Sequence, residues 1–222
     1  MTTFIHALND DMAAVAQRVR GTLVQITGGR GPRSGAGSGT IWSADGVIIT
    51  NAHVVMNRRR LQVTLADGRT LPGTLIAADP EHDVAAIKVA ATDLPAIEAG
   101  DSQALRPGAL VFAVGHPWGV LGAVSAGVLI AQGGDLQEWP AAGRDFLAVN
   151  LRVRPGNSGG PLVDAEGRLL GLNTIMNGPE VGLAVPVHVI ERFMAQVAPA
   201  RAETDRPRPA HERGHGAEPH YL

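Results

Sequence analysis

The stretch Arg154-Pro155-Gly156-Asn157-Ser158-Gly159-Gly160-Pro161-Leu162 determines how the rest of the chain is interpreted. It sets one serine among turn-forming glycine and proline residues, with strand-like runs on both sides. Glycine tolerates backbone angles that are unfavourable for other residues, and proline stiffens the chain before it. Such a turn can present the Ser158 hydroxyl as a nucleophile and direct two backbone N–H groups at the oxyanion formed on a carbonyl. The alternative is an ordinary serine in a glycine-rich hairpin, so the chain must also supply a base and an orienting acid.

Composition excludes several other classes of function. The chain has 222 residues, 45% of them hydrophobic, which is enough for one substantial core or two small ones. A net charge of -2 carries neither the basic footprint of a nucleic-acid-binding protein nor a polybasic membrane patch. Cysteine is absent, so there are no disulfides and no thiolate chemistry, as fits a reducing compartment.

The N-terminus shows no secretory signal, since it has neither a basic segment nor a long apolar one. No apolar run reaches the roughly 18 residues that a membrane span requires. We therefore expect a cytoplasmic protein if the chain is complete, or a periplasmic or other extracytoplasmic one if it has been processed.

Hydrophobic periodicity predicts an all-β fold with a helix at each end. Apolar residues from Phe4 to Val19 recur at helical spacing, and Gly21 stops that helix. Two sets of short β-type runs follow, separated by turn signals and by a joint near residues 98–107, and Pro186 opens the second helix. The predicted strands lie at residues 23–26, 40–43, 47–50, 61–65, 71–77 and 84–89, then at 109–114, 123–131, 146–153, 162–163, 169–175 and 181–185.

Each set has the size of a six-stranded antiparallel barrel. We expect one barrel at about 22–100 and another at about 106–186, within an ordered domain of residues 1–197. Hydrophobic patterning then stops, and composition predicts a disordered tail over 198–222.

Two segments admit a binding alternative. The loop Gly28–Gly39 is glycine-rich, but Lys and Ser/Thr are not placed as a phosphate-binding loop requires, which favours a flexible surface loop over a nucleotide site. The tail carries His211, His215 and His220, for which weak metal binding is the alternative to a solvated segment.

Among the eight histidines, His53 is the best candidate for the base because it directly follows an apolar strand, where a short turn can hold it rigidly. Asp83 begins another apolar strand and is the candidate acid. His82 is a poor partner for Asp83, since neighbours on a strand point to opposite faces. His116 is most simply a loop residue. A histidine or aspartate at a strand end is often structural, so these assignments depend on the three residues occurring together.

The order His, Asp, Ser is that of chymotrypsin-type hydrolases. Over residues 4–197 the chain resembles the HtrA/DegP group of trypsin-like serine proteases. The segments that carry the resemblance are Gly37–Ile41, Asp45–Val55, His82–Val89, Leu105–Gly108, Ala113–Pro117, Gly156–Leu162, Gly171–Thr174 and Leu183–Pro186.

The resemblance implies a fold, a set of catalytic roles and an activity. The fold would be two chymotrypsin-like barrels, with His53 as general base, Asp83 as the residue that orients it and Ser158 as nucleophile. The oxyanion hole would be formed by the N–H groups of Gly156 and Ser158, with Asn157 between them. The activity would be that of a bacterial serine endopeptidase for protein quality control, which cleaves unfolded or exposed segments and needs no metal or organic cofactor. A low-activity binding or chaperone-like module on the same fold is the alternative.

The chain also departs from the family. No PDZ-type module follows residue 197, which leaves the partner binding and regulated assembly of the family in doubt. The pocket for the residue before the scissile bond would be lined by Arg152, Val153, Gly182 and Leu183. That pocket takes small or medium aliphatic side chains in the family. A guanidinium from Arg152 pointing inward would favour acidic ones, and one pointing to solvent or to a salt bridge would not.

The N-terminal helix, with Phe4, resembles the segment through which the family forms trimers. A homotrimer is therefore expected, and a helix packed only on its own barrel is the alternative.

Overall fold

A computed structural model describes residues 2–28, 36–56, 58, 60–133, 145–176 and 180–204. The first half contains α1 (Thr2–Arg20), β1 (Leu23–Thr27), β2 (Ala36–Ser43), β3 (Val47–Thr50), α2 (Ala52–Val55), β4 (Leu61–Thr64), β5 (Thr70–Asp79) and β6 (Val84–Lys88). The second half contains β7 (Leu110–Gly115), a 3-10 turn (Pro117–Gly119), β8 (Ala123–Gln132), β9 (Leu147–Val149), β10 (Pro161–Val163), β11 (Leu169–Met176), β12 (Gly182–Pro186) and α3 (Val187–Thr204).

The strands close into two antiparallel barrels, which confirms the predicted architecture. The N-terminal barrel has the order β1-β2-β3-β6-β5-β4, and the C-terminal barrel has the order β10-β11-β12-β9-β8-β7. The segment between them touches the second barrel through a parallel bridge from Ala99 to Leu169. The predicted joint near 98–107 therefore lies where the chain passes from one barrel to the other.

Strands β3 and β6 form the side of the N-terminal barrel that packs against the second barrel. Each strand is buried on both faces, which is why its sequence is a continuous apolar run rather than an alternating one. Ile48 and Ile87 point into the N-terminal barrel. Ile49 and Ala86 join a core that reaches across to the second barrel and to both terminal helices. This double burial fixes the ends of β3 and β6, where two candidate site residues lie.

The predicted N-terminal helix is present, and its second half packs on its own domain. Val15 and Val19 are buried in the shared core. The side chain of Phe4 lies outside those described, so the trimer contact stays a prediction. No helix in the described part of the chain is both long and apolar enough to cross a bilayer.

The predicted loop Gly28–Gly39 is shorter than expected, because β2 already begins at Ala36. Backbone pairing joins Thr27 to Ala36 and Val24 to Gly39. Small residues are needed here, since a Cβ on Gly39 would lie 2.8 Å from Ile26 Cδ1. The glycine and serine residues here have low β-propensity, so the sequence pattern did not indicate this strand, which is stabilised by backbone hydrogen bonds to β1. Residues 29–35 lie outside the described residues.

The predicted strand at 146–153 is too long, since β9 covers only Leu147–Val149. Leu151 and Val153 are buried, yet they lie outside the ladder. An apolar run indicates that residues are buried, but a strand also needs a partner strand in register, and the pattern does not show one.

The ordered part of the chain extends further than residue 197, because α3 continues to Thr204. The residues beyond Val197 lack an apolar stripe but include three alanines, which are strong helix formers. The rest of the predicted tail, including His211, His215 and His220, lies outside the described residues.

Candidate active site

The pairing of β3 with β6 brings His53 and Asp83 together. Thr50, the last residue of β3, lies opposite Ala85 near the start of β6. In an antiparallel pair, the residue after one strand and the residue before the other lie at the same edge. The single helical turn α2 then carries His53 over Asp83.

His53 and Asp83 make three hydrogen bonds. The ring Nδ1 of His53 lies 3.0 Å from Oδ1 and 2.9 Å from Oδ2 of Asp83. The backbone N–H of His53 also donates to Oδ1, at 3.0 Å. Because a carboxylate only accepts, Nδ1 carries the proton and Nε2 is left as the acceptor. The His53 side chain is 46% exposed and that of Asp83 15%, so the imidazole faces solvent while the carboxylate is shielded.

The Asp83 carboxylate is kept ionised by its hydrogen bonds. Burial acts to raise its pKa, but the bonds from His53 and Thr174 outweigh burial, so the pKa lies below its ordinary value of 3.8. The backbone of Asp83 has φ 56, a left-handed conformation that is uncommon for residues other than glycine. The side-chain amide of Asn51 holds this conformation by donating to the Asp83 carbonyl at 3.0 Å.

Ser158 lies in the turn that precedes β10, and its hydroxyl donates to the backbone carbonyl of Thr174 at 2.8 Å. The Thr174 hydroxyl donates to Oδ2 of Asp83 at 2.5 Å. Thr174 of β11 thus contacts both Asp83 and Ser158. Within the described residues, Ser158 makes no hydrogen bond to the ring of His53.

The turn around Ser158 leaves two N–H groups unpaired. Within the described residues, the N–H groups of Gly156 and Ser158 donate to no other group, whereas that of Asn157 donates to the Arg154 carbonyl at 2.9 Å. Gly156 has φ 103, and a Cβ there would lie 2.3 Å from the carbonyl oxygen of His116. The position therefore requires glycine on both conformational and steric grounds.

The expected pocket residues separate into three groups. Arg152 forms an exposed ion pair with Glu180 at 2.8 Å, which agrees with the alternative of a guanidinium in a salt bridge. Val153 is buried beside Gly182, where a Cβ would lie 2.5 Å from Val153 Cγ2. Leu183 points to the other face of β12, into the core between the barrels, and is therefore not grouped with Gly182.

Comparison with known proteins agrees with this arrangement. A family model described as "Trypsin-like peptidase domain" matches residues 37–172, more than half of the chain. The chain belongs to the trypsin-like peptidase family.

Within the trypsin-like peptidase family, the chain is similar to the HtrA/DegP group. It is 40% identical over 161 residues to a putative serine protease, HhoB, of Synechocystis, which covers 71% of this chain and 39% of the relative. It is 38% identical over 166 residues to a probable periplasmic serine endoprotease, DegP-like, of Chlamydia pneumoniae, covering 72% and 34%. A solved HtrA-type protease with a tripeptide aligns at a TM-score of 0.77 and 32% identity, covering 83% of this chain and 62% of the other. The chain thus spans less than half the length of these two curated relatives.

Among the described residues of this trypsin-like peptidase, two further histidine–aspartate pairs occur, and neither resembles the site at His53. His82 lies 2.7 Å from Asp79, its neighbour in one turn. His188 Nε2 lies 3.7 Å from Asp145, and its Nδ1 lies 2.8 Å from the hydroxyl of Ser102. Ser102 is only 1% exposed, and its hydroxyl accepts the His188 N–H near the start of α3. That serine caps a helix and is not accessible to a substrate.

Sequence reasoning missed several contacts of this peptidase. Thr174 lies within the motif Gly171–Thr174, but nothing in that pattern indicates that its hydroxyl meets Asp83. Trp118 has φ 52 and is 68% exposed. The guanidinium carbon of Arg154 lies 4.5 Å from the centroid of that ring. This cation–π contact joins Trp118 to Arg154, the first residue of the turn that carries Ser158.

Proposed function

We propose that the chain is a serine endopeptidase that cleaves unfolded or exposed protein segments. The observation that carries this proposal is the hydrogen bonding of His53 Nδ1 to Asp83, which leaves Nε2 as an acceptor on the exposed side of the ring. Thr174 supports it further by contacting both Asp83 and the Ser158 hydroxyl. In this proposal His53 is the general base, Asp83 orients it and Ser158 is the nucleophile.

The reaction begins with exchange of one hydrogen bond. The Ser158 hydroxyl rotates from the Thr174 carbonyl to Nε2 of His53, which removes its proton as Oγ attacks the substrate carbonyl carbon. The carbonyl π electrons move onto oxygen, and the N–H groups of Gly156 and Ser158 stabilise that oxyanion. One such donor is worth about 3 kcal/mol of transition-state stabilisation.

The tetrahedral intermediate then collapses to products. Electrons return from the oxyanion, the C–N bond breaks, and protonated His53 gives its proton to the leaving amine. Water, deprotonated by the same imidazole, attacks the resulting ester; the bond between the acyl carbon and Ser158 Oγ then breaks, and protonated His53 gives its proton to Oγ, which releases the acid and restores the Ser158 hydroxyl. The Asp83 carboxylate stays ionised throughout and stabilises the imidazolium.

Small or medium aliphatic residues before the scissile bond fit the side chains near the turn. Val153 contributes an apolar wall beside Gly182. The Arg152 guanidinium is bonded to Glu180 and does not offer a free charge to an acidic substrate side chain. A role in protein quality control is consistent with the relatives named as HtrA or DegP-like proteases. Of the two locations expected from the sequence, the relative from Chlamydia pneumoniae, named as periplasmic, favours the extracytoplasmic one.

One observation favours the second candidate, a binding or chaperone-like module. The Ser158 hydroxyl bonds to Thr174 and not to His53, so the resting nucleophile is not bonded to its base. A chain that keeps this hydroxyl position with substrate bound would hold an unfolded segment without cleaving it.

Digestion of β-casein distinguishes the two. We expect the wild type to cleave casein, and Ser158→Ala and His53→Ala to lose at least about 10³-fold in rate, as removal of a triad member does in related enzymes. Ser125→Ala, a serine exposed on β8, is the matched control and should keep full activity. Casein bound by the wild type but left uncut would favour the binding module, and cleavage by Ser158→Ala would refute the assigned nucleophile.

A further inference from the structure

Ser38 of β2 makes three hydrogen bonds to the parts of the second barrel that surround the nucleophile. Its backbone N–H donates to the Ser158 carbonyl at 2.8 Å. Its hydroxyl donates to the Gly156 carbonyl at 2.7 Å and accepts the His116 N–H at 3.1 Å. Ser38 is fully buried, so water does not compete for these bonds.

Four consecutive peptide groups of the nucleophile turn are fixed through their carbonyls. The Pro155 carbonyl accepts from Trp118 at 3.1 Å, and the Asn157 carbonyl accepts from Gly160 at 2.9 Å. The other two carbonyls, those of Gly156 and Ser158, are the two that Ser38 holds. A single residue of the first barrel therefore fixes two of these four peptide groups.

The orientation of the carbonyls determines where the N–H groups point, because a peptide group is planar and trans. With the Gly156 carbonyl held by Ser38, the N–H of the same peptide group points away and reaches Arg154 at 2.9 Å. With the Ser158 carbonyl held, the N–H of Gly159 reaches Asn173 at 2.9 Å. The N–H groups that remain free are those of Gly156 and Ser158, which are the donors assigned to the oxyanion.

We propose that Ser38 is a positioning residue that orients the oxyanion-binding turn from the neighbouring barrel. This inference rests on the proposed function. Gly156 has no Cβ, so few steric limits act on its backbone, and the peptide groups on either side of it have little intrinsic preference and need an external hold. Without the Ser38 hydroxyl, the Gly156 carbonyl keeps only the longer bond from the His116 N–H, at 3.3 Å. The turn then samples orientations in which an oxyanion donor is misdirected.

Thr40 provides a matched control on the same strand. It is also fully buried, and its hydroxyl donates to the Gly159 carbonyl at 3.2 Å. That carbonyl lies in the peptide group between Gly159 and Gly160, which adjoins neither of the peptide groups that carry the oxyanion donors, whereas the group held by the Ser38 hydroxyl lies between those two. If the loss of any buried hydroxyl from β2 perturbs the fold, Thr40→Val should show that effect as well. An effect on the oxyanion turn should appear only in Ser38→Ala.

The test measures catalysis and backbone exchange in the whole chain for the wild type, Ser38→Ala and Thr40→Val. For a peptide p-nitroanilide with valine before the scissile bond, we expect Ser38→Ala to lower kcat by about 10- to 100-fold with little change in KM. The loss of one oxyanion donor costs about 10²- to 10³-fold, and a misdirected donor costs less. Inhibition by the matching peptide aldehyde, whose adduct carries the oxyanion, should weaken by a similar factor.

Amide hydrogen exchange supplies a readout that does not depend on turnover. Exchange at Asn157, whose peptide group loses the bond from the Ser38 hydroxyl, should accelerate in Ser38→Ala and not in Thr40→Val. Gly159 serves as an internal reference, because the backbone N–H of residue 38 still holds the Ser158 carbonyl in both variants. Ser38→Cys keeps the side-chain size with a weaker donor, and it replaces Ser38→Ala if that variant fails to fold. Unchanged exchange at Asn157, or equal losses of kcat in the Ser38 and Thr40 variants, would overturn the inference. An inactive wild type would refute the proposed function instead, while exchange still decides whether Ser38 holds the turn.

Discussion

The Ser158 hydroxyl donates to the backbone carbonyl of Thr174 at 2.8 Å, and this bond holds the candidate nucleophile at rest. The side chain of the same threonine donates to Asp83 at 2.5 Å. One residue of β11 therefore contacts both Asp83 and Ser158, and in the proposed function it supports the orienting acid and holds the nucleophile until a substrate displaces that bond.

Thr174→Val should separate these two contacts, because it removes the hydroxyl and keeps the carbonyl. A hydrogen bond to an ionised group contributes about 1.5–3 kcal/mol, so we expect kcat to fall by about 10-fold or more while KM changes little. Thr64→Val removes a hydroxyl that is bonded, within the described part of the chain, to Thr70 at an exposed position, and it is the control. Equal kcat values in the Thr174 variant and the wild type would contradict the support assigned to Thr174.

The lowered pKa of Asp83 makes stability depend on pH in the acid range. Its folded pKa lies below the ordinary value of 3.8, so its contribution to the free energy of unfolding is fully present above that value. The contribution is lost as pH falls through the lowered pKa. Urea unfolding of the wild type and Asp83→Asn should therefore give a stability difference that shrinks from pH 5 towards pH 2. A difference that stays constant over this range would show that the folded state does not favour ionised Asp83.

His116 should produce a pH dependence near neutrality. Burial lowers its pKa below the ordinary value of 6.5, and its Nδ1 accepts the Gly122 N–H at 3.1 Å. The unfolded chain then binds more protons below pH 6.5, so the wild type loses stability as pH falls from 7.5 to 5. In His116→Gln, which keeps an acceptor for Gly122 and does not titrate, this loss should be smaller. Parallel curves for the two proteins would contradict a buried neutral histidine.

The Arg152–Glu180 ion pair should affect neither stability nor specificity strongly. Both side chains are exposed, 60% and 65%, and exposed pairs contribute about 0–1 kcal/mol. We expect Arg152→Ala to unfold within about 1 kcal/mol of the wild type and to keep cleavage after aliphatic residues in a peptide library. Preferential cleavage after Asp or Glu by the wild type, lost in Arg152→Ala, would instead place the guanidinium in the pocket.

Residue patterns predicted the features that repeat along the chain. The apolar runs around Ile48 and Ile87 indicated the central strands, and turn signals indicated where each strand ends. The same pattern placed His53 just after one apolar strand and Asp83 at the start of another, but it did not pair those strands. The pairing of β3 with β6 is what brings the two residues together. His82 pairs with Asp79 and not with Asp83, as expected, but the reason given was wrong. Both His82 and Asp83 lie in the turn before β6, which begins at Val84 and not at Asp83, so alternation along a strand does not apply to them.

Other features depend on contacts that no local pattern contains. The strand at Ala36–Gly39 is stabilised by backbone pairing of residues with low β-propensity, so composition indicated a loop. The contacts of Ser38 and Thr174 join segments far apart in sequence, and a hydroxyl can serve many acceptors. Whether Ser158 bonds to Thr174 or to His53 depends on the side-chain geometry around Ser158, which sequence spacing does not determine.

Labelling with an organophosphonate tests the proposed triad most directly, because the reagent reacts with a serine only when a neighbouring base activates it. Mass spectrometry of digested protein should find one adduct, on Ser158, in the wild type. Labelling should be slowed at least about 10³-fold in His53→Ala and be absent in Ser158→Ala. Equal labelling rates in the wild type and His53→Ala, or no adduct on Ser158 in folded wild type, would contradict the assignment of His53 as the base that activates Ser158.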